Sequence, residues 1–242
     1  NGIQLQPIPL LREGRWQFDR WQERLAAQPP QGLLINNQHN PSGYLWSRED
    51  LACCLDHCQL VVVDEAFMDF LPPDQQPSLA TWVLEHDNLV ILRSLTKFYS
   101  IPGLRIGYAL AHPDRLQRWQ QWRDPWPVNS LAAAAAIAAL GDSTYQARVW
   151  QWLPPTRQTL LAQLQAIPGL HPLPGAANFL LVQSEQPVGP LQTELLQRDL
   201  IYIRDCLSFE ALGDAYFRIA VRTAEDNQRL VSALQRCLAA SV

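Results

Sequence analysis

The chain has 242 residues, of which 48% are hydrophobic and 17% charged, the balance of a folded globular protein rather than a disordered or collagen-like one. A formal net charge of −4 supplies no electrostatic reason to expect nucleic acid or an anionic membrane as a partner. The longest alanine-rich run, 131–140, is about half of the roughly 18–20 apolar residues that a membrane helix needs.

In chain order, Gly32 to Asn36 reads as a strand. Ser47-Arg-Glu-Asp50 has the form of a capping box opening a helix that runs to Cys58. Leu60-Val-Val-Val, ending at Asp64, is a continuous apolar run suited to a strand buried on both faces. A helix is predicted over 78–85, a buried strand at Leu89 to Leu92, and a further strand from Arg105 to Ala111. Helices follow at 113–123, 129–140 and 143–166. Strands separated by helical segments imply right-handed crossovers and a mainly parallel sheet, hence an α/β fold. After Pro168-Gly169 the texture changes to strands at 177–182, 201–203 and 216–221, with helices at 191–197 and 225–238. The expected division is a large α/β part over 1–145 and a smaller α+β part over 146–242.

The five cysteines are odd in number, and Cys53, Cys54 and Cys58 lie close together, which argues against a disulfide framework and for a reducing, cytoplasmic setting. Leu51, Cys54, Leu55 and Cys58 fall on one helical stripe, so these thiols read as core residues and no metal site is expected. Lysine is rarer still. Every basic side chain is arginine except Lys97, which follows an apolar strand instead of lying on a charged surface.

Ligands of open α/β sheets gather outside the carboxyl ends of the strands. The polar residues at those ends are Asn40, Asp64, and Ser94 with Lys97. An amide, a carboxylate and a lone amine at one sheet edge suit a cationic heteroaromatic cofactor bound through an amine.

Asn40-Pro-Ser-Gly, Asp64-Glu-Ala-Phe, Ser94-Leu-Thr-Lys-Phe and Pro102-Gly-Leu-Arg-Ile-Gly, in that order, resemble the signature of pyridoxal-phosphate enzymes of the aspartate aminotransferase fold. The chain is similar to the histidinol-phosphate-aminotransferase-like branch from about residue 30 onward. Within that branch Leu92 to Tyr108, Pro125 to Asn129 and Ile203 to Ala220 most resemble the decarboxylases that act on threonine phosphate in cobalamin biosynthesis. The resemblance implies pyridoxal 5'-phosphate as cofactor and Lys97 as its Schiff-base lysine and catalytic residue. Asp64 would face the pyridinium nitrogen, Asn40 the phenolic oxygen, and Ser94 and Arg105 the phosphate. Arg218 would take the substrate carboxylate and Arg204 a substrate phosphate, with Asn129 as a further substrate contact or a helix cap. The partner is then a small amino-acid phosphate, and the family implies a homodimer.

Two departures from the family stand out. Phe67 occupies a position where many transaminases have tyrosine, which leans towards decarboxylation over transamination. The glycine turn and stacking aromatic of the family match nothing in residues 1–30, so that region is expected to lie upstream of residue 1.

Overall fold

The computed structural model describes residues 2, 4–12, 15–18 and 21–239. A short hairpin of β1 (Leu11–Arg12) and β2 (Arg15–Trp16) leads to α1 (Trp21–Ala27). The first main sheet is built from β3 (Gly32–Asn36), then α2 (Arg48–His57), β4 (Leu60–Asp64), β5 (Leu89–Ser94), α3 (Leu95–Phe98) and β6 (Gly107–Ala111). Helices α4 (Pro113–Gln120), α5 (Ser130–Gly141) and α6 (Ser143–Gln165) carry the chain away from it. The second main sheet holds β7 (Leu170–Pro172), β8 (Phe179–Ser184), β9 (Arg204–Asp205) and β10 (Tyr216–Ala220), with α7 (Val188–Asp199) and α8 (Ala224–Ala239). The division expected between residues 145 and 146 falls inside α6.

The first sheet has the order β3-β4-β5-β6. Its first three strands are parallel, and β6 runs antiparallel to β5. The step into β6 is therefore a reversal, in a sheet expected to be mainly parallel. Residues 95–106 form only the four-residue α3 and a 3-10 turn at Pro102–Leu104. About 6 Å of helix cannot return along a strand of roughly 20 Å, so the chain folds straight back. Ser47 opens α2 through the expected capping box, its hydroxyl accepting from Asp50 N while Asp50 accepts from Ser47 N.

Strand β4 is not buried on both faces: Val61 and Val63 are sealed and Val62 only half covered. The reason is that α1 and α2 pack on one face of the sheet, giving a core of Trp21, Leu25, Leu51, Cys54, Val61 and Val63. The helix expected over 78–85 is a single 3-10 turn, Ala80–Trp82, because the Ser78 hydroxyl caps Ala80 N and bonds Glu65. The strand expected at 201–203 pairs instead at Arg204–Asp205, since the Ile203 carbonyl accepts from Gln192 of α7.

The second sheet, ordered β7-β8-β10-β9, is antiparallel throughout. Its main core joins β8 and β10 to α6, α7 and α8, and takes in Phe70 and Phe98 from the first half. The Trp150 indole donates to the Asp69 carbonyl at 2.9 Å and the Tyr145 hydroxyl to the Phe98 carbonyl at 2.7 Å, so α6 brackets both halves. No disulfide joins the cysteines among the described residues. Among the described residues there is no cluster of His, Cys, Asp and Glu fit for a metal ion, and no helix long and apolar enough to cross a membrane.

Candidate active site

Strand β5 ends in Ser94, and the chain turns at once into α3, which carries Lys97 back over the strand end. The Lys97 ammonium donates to Ser94 Oγ at 3.2 Å and to Thr96 Oγ1 at 3.1 Å, and those hydroxyls bond each other at 2.8 Å. Lys97 makes no ion pair among the described residues. An amine held by hydroxyls alone is not committed to a carboxylate and is available for carbonyl chemistry.

Asp64 ends the neighbouring parallel strand, level with Leu92. Its Oδ1 accepts from Ala66 N at 3.0 Å and its Oδ2 from the Asn36 amide at 3.4 Å. Asn40 sits in the loop after β3 and accepts a short hydrogen bond from Arg218 Nη1. That contact joins the two sheets, since Arg218 is in β10. The Arg218 guanidinium lies 4.9 Å over the Phe179 ring, which meets Phe67 edge-on at 5.1 Å. Burial, and then the neighbouring Arg204, push the Arg218 pKa down. A negatively charged partner would relieve that cost.

A cleft of about 660 Å³ opens between the halves and gathers Lys97, Phe67, Arg204 and Arg218. Arg222 and Arg229 also line it, against one acidic side chain, Asp226, so an overall acidic chain presents a basic cleft. Asn178 lines it too, its Oδ1 buried without a partner among the described residues.

Not every expected residue joins the cleft. Ser94 is reached through Lys97, Asn40 through Arg218, and Asp64 through the strand register. Arg105 is exposed, adopts φ 52°, and donates to the Pro102 carbonyl at 3.0 Å. Asn129 caps α5, accepting from Ala132 N at 2.8 Å, while its amide donates to Leu104 O at 3.2 Å. Both ends of that amide are thus occupied by backbone, and of the two readings the structure realises the cap.

Arg93 reads from sequence as structural, and the structure places it in a polar cluster behind the site, whose members the sequence does not reveal. Its guanidinium reaches Glu65 Oε2 at 2.7 Å, Asp69 Oδ1 at 2.6 Å, Gln76 Oε1 at 3.1 Å and Ser78 Oγ at 3.2 Å. The signal available was an arginine closing an apolar strand beside the acid-rich segment 64–69.

The architecture and the sequence both have known relatives. Residues 1–234 match the family Aminotransferase class I and II, a stretch reaching further toward the N-terminus than the motifs alone suggest. The chain is 37% identical over 211 residues to threonine-phosphate decarboxylase of Salmonella typhimurium, covering 85% of this chain and 57% of the relative. It is 35% identical over 217 residues to histidinol-phosphate aminotransferase of Symbiobacterium thermophilum, covering 88% and 58%. The structure resembles histidinol-phosphate aminotransferase from Clostridium acetobutylicum with a TM-score of 0.83 at 27% identity, covering 89% of this chain and 67% of that one. The chain belongs to the class I and II aminotransferase family, whose members depend on pyridoxal phosphate, and it has their α/β fold. It spans under three fifths of the length of those curated relatives, at 57% and 58%.

Proposed function

We propose that the protein acts as a pyridoxal-phosphate-dependent carboxy-lyase, converting L-threonine O-3-phosphate to 1-amino-2-propanol phosphate for cobalamin assembly. The observation that carries this reading is the shared cleft: an amine with no carboxylate partner among the described residues lines it together with two arginines from the second sheet. A substrate with one amine, one carboxylate and one phosphate complements that set.

The residues present fit the cofactor. Lys97 would bind its aldehyde carbon, Asp64 its ring nitrogen, Asn40 its phenolic oxygen, and Ser94 and Arg105 its phosphate. When bound, pyridoxal phosphate supplies an electron sink for the carbon that loses its substituent. The chain decides which bond is lost. Arg218 is held from two sides, by Asn40 and by the Phe179 ring, so it can fix a carboxylate in one orientation. Arg204 would anchor the phosphate, and binding energy at that remote group is then used to orient the reacting carbon. Phe67 puts hydrocarbon beside Lys97 where a phenol would add a hydrogen bond. In its ammonium form Lys97 would be placed to deliver a proton to the product carbon.

Supporting the reading is 37% identity to a threonine-phosphate decarboxylase. The 35% identity to a histidinol-phosphate aminotransferase favours transamination as the second reading, and its substrate also carries phosphate. We further propose residues 1–145 as the cofactor-binding part and 146–242 as the smaller part, in a cytoplasmic homodimer.

The test has two arms. Borohydride treatment in the presence of pyridoxal phosphate should label Lys97 alone, and Lys97→Ala should abolish both label and turnover. With threonine phosphate the protein should release carbon dioxide without any keto acid. Glutamate formed from histidinol phosphate and 2-oxoglutarate, with no carbon dioxide from threonine phosphate, would assign it to the aminotransferases.

A further inference from the structure

Behind the strand ends that carry Asp64 and Ser94 lies a polar cluster that the reaction does not use. Glu65 is fully buried, and its Oε1 has no partner among the described residues. Every side-chain bond it makes there runs through Oε2, to Arg93 Nε at 2.7 Å and the Ser78 hydroxyl at 2.8 Å. Arg93 is nearly as deep, with 8% of its side chain exposed, and spreads its remaining donors over Asp69, Gln76 and Ser78. The Asp69 carbonyl is held in turn by Trp150 of α6.

The position of this cluster matters more than its content. Glu65 directly follows Asp64, and Arg93 directly precedes Ser94. Arg93 and Ser94 are successive residues of β5 and point to opposite sides, so Arg93, with Glu65 bound to it, grips the strand end from the side away from Ser94. The two ends are also joined through the backbone, Glu65 N donating to Leu92 O at 2.8 Å. From Arg93 the path to the amine is short: Ser94 is the next residue, and its Oγ accepts from Lys97. A planar guanidinium bound to four acceptors has little freedom to rotate, unlike an ammonium.

We infer that Glu65 and Arg93 are positioning residues, a clamp that sets Lys97 against Asp64 by locking the end of β5 to the end of β4. The inference rests on the reading of Lys97 as the cofactor-bearing amine.

Because Lys97 is the only lysine, reductive ¹³C-methylation gives one dimethyl-lysine resonance in the cofactor-free protein, which reports its surroundings without pyridoxal phosphate. That resonance would be compared in the unchanged protein and in Glu65→Gln, Arg93→Gln and Ser78→Ala, with circular dichroism to establish folding. In parallel, the pyridoxal phosphate concentration giving half-maximal borohydride labelling would be measured. The clamp predicts a displaced or doubled lysine resonance in the first two variants and a rise of about tenfold in that concentration. Ser78→Ala removes one bond to each partner and keeps the ion pair, so it should show the same changes to a smaller degree. Folded variants with an unmoved resonance and unchanged labelling would overturn the inference. If the charge variants do not fold, an unmoved resonance and unchanged labelling in Ser78→Ala overturn it equally. Absence of label in the unchanged protein at any concentration would instead overturn the assignment of Lys97, while the resonance would still judge the clamp.

Discussion

Strands β4 and β8 look alike in sequence, each a run of branched aliphatic residues, yet they sit in different surroundings. In β8, Leu180 and Val182 enter one core while Leu181 enters another on the opposite face, and all are fully buried. In the first sheet, Val61 and Val63 of β4 are buried, Val62 is half covered, and Leu34 of neighbouring β3 is 70% exposed. An apolar run records a strand's suitability for burial on both faces. Whether both faces are buried depends on what else the chain lays against them. The second sheet is covered on both faces, on one by α6, α7 and α8 with Phe70 and Phe98, and on the other by Leu212 with Leu11 and Trp16 of the N-terminal hairpin. The half bearing Lys97 leaves apolar surface open, on β3 and again on α5, where the buried side chains are Ala132 and Ala136 and Ile137 is 76% exposed.

The largest effect should separate the two sheets directly. Leu180→Ala should cost about 2–5 kcal/mol by urea denaturation, as expected for a leucine removed from a sealed core. Val62→Ala in β4 should cost under about 1 kcal/mol, because part of that side chain already meets solvent. Equal losses would show that the first sheet is covered in solution and would erase the contrast.

The sequence made the parallel part of the first sheet, the capping box at Ser47, the long α6 and the cysteine stripe readable, because each rests on local pattern. The reversal into β6 was not readable, since it depends on the length that 95–106 can span rather than on any residue in it. At the site, Asn40, Asp64, Ser94 and Lys97 could be placed at strand ends from order alone. That Arg218 bonds Asn40 across 178 positions of chain is a tertiary fact, with no counterpart in spacing. The Glu65–Arg93 clamp was hidden for a related reason: an arginine beside a key serine reads as ordinary until its acceptors, scattered from 65 to 78, converge on it.

The next effect belongs to the first half and to pH. His39 is wedged edge-on against Phe18 and Trp46, with Nδ1 2.7 Å from Ser42 Oγ, and burial lowers its pKa from 6.5 to about 4. The unfolded chain therefore takes up a proton that the folded one refuses. The stability contributed by neutral His39 is complete above about pH 6.5, declines as pH falls, and levels off below about pH 4, a loss of about 3 kcal/mol at most. Unfolding titrations across that window should show a shallower slope in His39→Gln than in the unchanged protein. Parallel slopes would mean that the imidazole is solvated and the pocket around it loose.

A smaller effect tests where the halves touch. Gly43 has φ +74°, and a Cβ on Gly175 would meet Gly43 Cα at 3.0 Å and the carbonyl oxygens of Gly43 and Ser42 at 3.1 Å. These are backbone atoms, so Gly175→Ala must displace the loop that begins at Asn40, at a cost of about 1–3 kcal/mol. Gly189→Ala, where a Cβ meets nothing within 4 Å inside α7, should be neutral or slightly stabilising. Calorimetry distinguishes them, and borohydride labelling of Lys97 shows whether moving the Asn40 loop reaches the cofactor site. If both variants melt with the unchanged protein, the halves are not in the register seen here.

The smallest expected effect is the most informative about the open face. Ile137→Gln replaces a side chain that is three quarters in solvent, so the chain's own stability should change by no more than about 0.5 kcal/mol. Binding of a dye that reports exposed apolar surface should fall, because Ile137 lies with Leu131 and Leu140 on a helix whose buried contacts are made by alanines. The measurement is repeated over a hundredfold range of protein concentration. A stability loss that grows with concentration in the unchanged protein's favour would show that α5 is covered by another copy of the chain, the homodimer proposed above. The contrast between the two halves would then reflect assembly, one half completing its core within the chain and the other across an interface.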